Sequence, residues 1–204
     1  MSYPKIVAAL AVAALAPGAA AAQATAADSG RPPFNAADVR FMSGMIDHHA
    51  QAILMAGWAP NHGASASVRA LCERIVVGQR DEIGLMQRWL RERGLPVPDG
   101  NANHADDMPG MDHPTGLMPG MLTPTQLAQL DAARGPEFDR LFLTFMIQHH
   151  QGAITMVNEL FSANGATLDD LIFKYASDVN VDQTTEINRM GRMLAAMSSG
   201  ERSP

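Results

Sequence analysis

From Asn35 to Trp58 the apolar residues recur three and four positions apart, the period of a helix with one buried face. Asn35 can cap it, with Asp38 three residues on as a variant of the capping box. Pro60-Asn61-His62-Gly63 breaks the pattern. The helical period then resumes from Ser67 to Arg93 and stops at Gly94-Leu95-Pro96. Residues 96–121 are rich in Pro, Gly, Asp, Met and His and predict a loop. Thr123-Pro124 opens a short helix to Ala133, Pro136 opens a long one to Asn164-Gly165, and a last helix runs from Leu168 to Met197. No run of alternating β-branched residues supports a sheet, so the pattern predicts an all-α protein.

Two of these helices are copies. Asp38-x-x-Phe41-x-x-x-Met45-Ile46-x-His48-His49-x-x-Ala52-Ile53-x-Met55 returns as Asp139-x-x-Phe142-x-x-x-Met146-Ile147-x-His149-His150-x-x-Ala153-Ile154-x-Met156, nine identities at an offset of 101 residues. The helix after each copy repeats more weakly: Gln79, Glu82, Ile83, Met86 and Leu90 match Gln183, Glu186, Ile187, Met190 and Leu194 at an offset of 104. The unit is therefore a helical hairpin, present at 35–94 and again at 136–197. Two such hairpins predict a single four-helix-bundle domain over 35–197 with an approximate two-fold axis.

At about 100° per residue, Asp38, Phe41, Met45, His48, His49, Ala52, Ile53 and Met55 share one stripe of roughly 160°. Asp47 and Gln148, which differ between the copies, point to the opposite side. Glu82 and Glu186 turn inward, where a buried carboxylate needs a partner and an apposed histidine supplies one. A core repeat must keep its hydrophobic character, but it need not keep a His-His pair beside methionine. Imidazole and thioether are ligands for soft and borderline metals, copper first among them. Met45 and His49 can meet on one turn, as can Met146 and His150. Two-fold packing brings both pairs to one central site or leaves one site per half.

Plainer roles compete at some positions. Met55, Met86, Met156 and Met190 at helical spacing read as core filler. Asp38 and Asp139 sit in first turns, where a carboxylate favours the helix dipole. With Glu82 and Glu186 they are also the candidates to orient metal ligands from behind. Cys72 has Ala176 as its counterpart and reads as a small buried hydrophobe. Four of the 14 methionines lie in the loop, in His104-Ala-Asp-Asp-Met108-Pro-Gly-Met111-Asp112-His113 and Met118-Pro-Gly-Met121. Met108, Met111, His113, Met118 and Met121 are thus further soft donors, or a lid folded over the bundle.

Composition narrows the setting. Lys5, the apolar run Ile6–Leu15 and the small residues to Ala22 have the layout of a secretory signal peptide over 1–22, followed by a flexible leader over 23–34. No later segment reaches the ~20 apolar residues of a membrane span. The expectation is an exported protein, periplasmic in a diderm bacterium. A net charge of −6 argues against nucleic acid as a partner. A single cysteine excludes an internal disulfide, and no Cys-x-x-Cys-His is present to attach haem.

With its motif in both halves and the Met-Pro-Gly-Met loop between them, the chain resembles the bacterial domain of unknown function family numbered 305. The resemblance covers about 36–197 and implies a ferritin-like, exported helical protein. Some relatives are periplasmic copper-binding proteins linked to copper resistance. That implies Met and His ligation here, at Met45, His48, His49, Met146, His149 and His150, with the loop donors in addition. The leading expectation is a non-enzymatic protein that buffers Cu(I) or hands it to other copper-handling proteins. A ferritin-like di-metal oxidoreductase ranks behind it. Such sites use Glu-x-x-His pairs, whereas Leu85 and Arg189 stand three residues after Glu82 and Glu186. A bundle whose histidines only hydrogen-bond is the third reading.

Overall fold

The computed structural model describes residues 32–100 and 116–199, which form five helices and no strand. These are α1 (Ala36–Gly57), α2 (Ala66–Glu92), α3 (Pro124–Ala132), α4 (Pro136–Ser162) and α5 (Asp170–Ser199). Each falls within about two residues of its predicted bounds, the scatter normal for helix ends. The signal-peptide and leader positions and most of the Met- and His-rich loop lie outside the described residues. Among the described residues no helix is long and apolar enough to cross a membrane.

Local chemistry sets the helix starts. The Asn35 side chain accepts from the amides of Ala37 and Asp38, and Asp38 accepts from the Asn35 amide in return. Thr123 and Gln126 cap α3 in the same reciprocal way, with Pro124 at its first position. Ser65 caps α2 by accepting from the Val68 amide, whereas α4 opens on Gly135 with Pro136 at its first position and no side-chain cap.

The two hairpins, α1–α2 and α4–α5, pack through α1 against α4. The repeated aspartates latch one half to the other. Asp38, at the start of α1, accepts the Thr167 amide in the turn between α4 and α5 at 2.8 Å. Asp139, at the start of α4, accepts the Ser65 amide in the turn between α1 and α2 at 3.2 Å through both oxygens. Each helix therefore begins where the other ends, and α1 and α4 run antiparallel. A second clasp ties α2 to α5: Asp169 accepts from Trp89 Nε1 at 3.0 Å and pairs with the buried Arg93 guanidinium.

The core divides as the repeat requires. Met45 and Met86 of the first half cluster with Met156 of the second, and their counterparts Met146 and Met190 cluster with Met55. One expectation fails. The helical period puts Asp47 on the outer side, yet it is 3 % exposed, and Ile46 and Gln51 beside it are buried as well. The connecting segment covers this face of α1. The Gln51 amide pairs with both backbone groups of Leu122, at 3.1 Å and 2.7 Å. On α4, Gln148 donates to the Gly120 carbonyl at 3.3 Å, and Gly120 packs on Gly152. Gln51 and Gly152, which are equivalent in the repeat and differ, thus both lie where the connection packs.

Candidate metal centre

The antiparallel pairing of α1 and α4 brings the two His-His pairs together. The rings of His48 and His149 meet across the helix interface, tilted by 39° with 3.8 Å between centroids. His49 and His150 flank them at 6.4 and 6.3 Å from their sequence neighbours. All four residues are 0–1 % exposed. The glutamates reach in from the outer helices. His49 Nε2 lies 2.5 Å from Glu82 Oε2, and His150 Nε2 lies 2.7 Å from Glu186 Oε2. Imidazole Nε2–H donates to carboxylate in both pairs, leaving Nδ1 with a lone pair in the neutral ring.

His48 Nε2 donates to the Pro119 carbonyl at 3.0 Å. His48 Nδ1, His49 Nδ1, His150 Nδ1 and both nitrogens of His149 are buried with no hydrogen-bond partner. Leaving a buried polar atom unsatisfied costs about 1–3 kcal/mol, so such a concentration at one place marks where the fold could hold a ligand. Burial first, and then His49, pushes the pKa of His48 down to about 3. His149 is lowered in the same way, by burial and then by His48, His150 and His49. Both rings are therefore neutral at physiological pH, the form that binds metals.

This has a consequence for stability. A histidine held below its unfolded pKa costs the fold nothing while it is neutral in both states, and the fold loses ground once the unfolded chain gains the proton. For the metal-free protein, stability should hold above pH 6.5 and fall as the pH drops toward about 3. The slope contributed by each of His48 and His149 is about 1.4 kcal/mol per pH unit. Urea melts between neutral pH and pH 4 measure it. A flat profile would show that these rings are not buried neutral.

The methionines complete the surroundings. Met45 stands one turn before His49 and Met146 one turn before His150, both at 0 % exposure. The four imidazoles form one cluster, whereas the methionine trios lie in two separate core clusters. Among the described residues no three His, Cys, Asp or Glu side chains converge as a metal-holding group. The donor types gathered along α1 and α4 are imidazole nitrogens and thioether sulfurs, which soft and borderline cations favour.

Other expectations divide. Glu82 and Glu186 do touch the imidazoles, as expected. Asp38 and Asp139 do not serve there; their carboxylates hold the backbone amides of the inter-helix turns. Met118 and Met121 fold back into the core beside Met45 and Met86, at 3 % and 4 % exposure. Met108, Met111 and His113 lie outside the described residues. Cys72 is buried, and burial with the nearby Asp139 pushes its thiol up to about 12, as suits an inert core residue.

Sequence reasoning missed Tyr175, whose hydroxyl lies 3.3 Å from His49 Nε2 and whose pKa is raised by burial and by Glu82. It breaks the two-fold symmetry, because Leu71 holds the equivalent place in the other half, and a search for repeated residues passes over it.

The sequence profile described as "Domain of unknown function (DUF305)" matches residues 38–194, from the first repeated aspartate to the last repeated leucine. The chain belongs to the DUF305 family. Solved DUF305 proteins share its fold. A DUF305 fragment from Deinococcus radiodurans is 27% identical with a TM-score of 0.66, covering 80% of this chain and 99% of that one. A candidate secreted DUF305 protein from Streptomyces coelicolor is 26% identical with a TM-score of 0.67, covering 82% and 96%. CopM, solved in a Cu(I)-bound form, is 27% identical with a TM-score of 0.56, covering 76% of this chain and 94% of that one. CopM has also been solved with Cu(II) and with Ag. A curated, uncharacterised protein of Acanthamoeba polyphaga mimivirus is 36% identical over 58 residues, which are 28% of this chain and 38% of that protein.

Proposed function

We propose that this DUF305 protein is an exported copper-binding protein that takes Cu(I), with Ag(I) as its mimic, and buffers the metal or hands it on. The observation that carries the reading is the set of five buried imidazole nitrogens without partners at the α1–α4 interface. His48, His49, His149 and His150 supply nitrogen ligands, and Met45 and Met146 supply soft sulfur one turn away. Glu82 and Glu186 orient the flanking rings by accepting their Nε2–H, which raises the basicity of Nδ1 toward a metal. The likeness to CopM, a protein solved with Cu(I), Cu(II) and Ag, supports the same choice of ion.

A ligand that binds only the native state stabilises it. At 100 times the dissociation constant the gain is about 2.7 kcal/mol. For a chain of this size that amounts to a rise in melting temperature of about 5–10 °C. The metal-free protein should show such a rise with Ag(I), and with Cu(I) under reductant, but not with Fe(II). A melting temperature indifferent to copper and silver ends the proposal, and a response to Fe(II) with oxygen uptake transfers it to the oxidase reading.

A further inference from the structure

The imidazoles are sealed from solvent, so an ion needs a way to them. On one side the connecting segment closes over His48 with the Pro119 carbonyl. On the other side Glu82 and Glu186 keep 28 % and 23 % of their side-chain surface exposed, while the histidines they touch keep none. Both carboxylates line a groove of about 450 Å³ between α2 and α5. Gln79 and Gln183 line it too, three residues before each glutamate. They are 4 % and 5 % exposed, and the Oε1 atom of each is buried without a hydrogen-bond partner. The two glutamines are equivalents in the repeat, so the groove presents two unsatisfied amide oxygens and two carboxylates in matching pairs.

The groove is also polarised. Along α5 it meets Asp182 first, then Glu186, and then Arg189 and Arg192. From α2, Arg74 approaches Glu186 at 3.7 Å and strengthens the basic end. Asp182 feels the crowding at the acidic end, since burial and then Glu82, Asp178 and Glu186 raise its pKa. A cation relieves that crowding, and oxygen donors hold a soft ion only weakly, as a point of transit requires.

We propose that this groove is the path by which the metal ion reaches the histidines. The ion enters at the Glu82–Asp182 end, and Gln79 and Gln183 hold it at the floor through their amide oxygens before His49 and His150 take it. This rests on the copper reading and adds a route and two positioning residues to it.

The test is a stopped-flow measurement in which Cu(I), delivered as its complex with a chromogenic chelator, is mixed with the metal-free protein. Combining Gln79→Leu with Gln183→Leu removes both oxygens at similar volume. Loading should slow about tenfold with the equilibrium affinity nearly unchanged, because the change raises a barrier and leaves the bound state alone. A second variant guards against misfolding of the first. Gly78 lies exposed in the groove, and a Cβ there meets nothing within 4 Å. Gly78→Cys can therefore carry a bulky maleimide, while the native Cys72, buried with its thiol near 12, stays unlabelled. The labelled protein should load at least about tenfold more slowly than the unlabelled one, as for any added barrier of that size. Wild-type rates in both the leucine pair and the plugged protein overturn the route. So does loading that accelerates only when the connecting segment is displaced by Gly152→Ala. A wild-type protein that takes no Cu(I) at equilibrium overturns the copper reading itself, and the route with it.

Discussion

Replacing His49 and His150 together by alanine is expected to lower Cu(I) affinity by at least about a hundredfold, since loss of even an outer partner of a metal ligand costs 10–100-fold. These are the rings whose Nε2 is fixed by glutamate and whose Nδ1 is left without a partner. Each also stands one turn after a methionine, Met45 or Met146. The change leaves Glu82 and Glu186 without their imidazoles, but both keep contact with the groove and can be solvated there. Fold stability should therefore suffer less than metal binding. Competition against a chromogenic Cu(I) chelator measures the affinity, and a urea melt of the metal-free variant measures the fold. Unchanged competition in the double variant would falsify the assignment of these rings as ligands.

The glutamates give a graded companion to that result. Glu82→Gln keeps the shape of the side chain and removes its charge, so the ring keeps a hydrogen bond and loses the basicity that the carboxylate confers. The expected fall in affinity is smaller than for the histidines, about tenfold, as for other second partners of metal ligands. Tyr175 adds a donor to the His49–Glu82 pair that the His150–Glu186 pair lacks. The two halves are thus not chemically equal, and Glu82→Gln and Glu186→Gln should differ in effect.

Much of this centre was legible in the sequence because a repeat filters it. Residues that return at the same offset are those placed by the two-fold packing: the His-His pairs, Met45 and Met146, and the glutamates that meet the rings. The helices were legible for a local reason, since caps, Gly and Pro stops and the apolar period act within a few residues. What the repeat hides is whatever occurs once. The connecting segment packs differently on the two copies: Gln51 pairs with Leu122 on α1, whereas its equivalent Gly152 leaves room on α4 for the backbone of Pro119 and Gly120. Tyr175 was missed for the same reason. Asp38 and Asp139 were visible as repeated, but their role was not. Sequence shows that a carboxylate begins each helix, and only the antiparallel pairing of α1 and α4 shows that it reaches the turn of the other half.

Gly152→Ala should be the most damaging single-methyl change in the protein. A Cβ at Gly152 would sit 1.9 Å from the Pro119 carbonyl oxygen and 2.6 Å from Gly120 Cα. Those are backbone atoms, with no flexible side-chain end to move aside. Gly120 cannot yield either, because it holds φ +75 and a Cβ there would meet Gln148 O and Gly152 Cα at 2.6 Å. The connecting segment must therefore lift from α4. It would take with it the Pro119 contact to His48, the paired amides of Gln51 and Leu122, and the burial of Met118 and Met121. The expected cost is about 2–4 kcal/mol, at the upper end of overpacking because whole contacts are lost with the strain. In melting temperature that is a fall of about 5–15 °C. Gly84→Ala provides the opposite sign. Nothing lies within 4 Å of its Cβ in α2, and alanine there should stabilise the helix by up to ~1 kcal/mol. If Gly152→Ala melted like Gly84→Ala, the close crossing of the two glycines would not exist in solution, and the cover over His48 would have to be built by other residues.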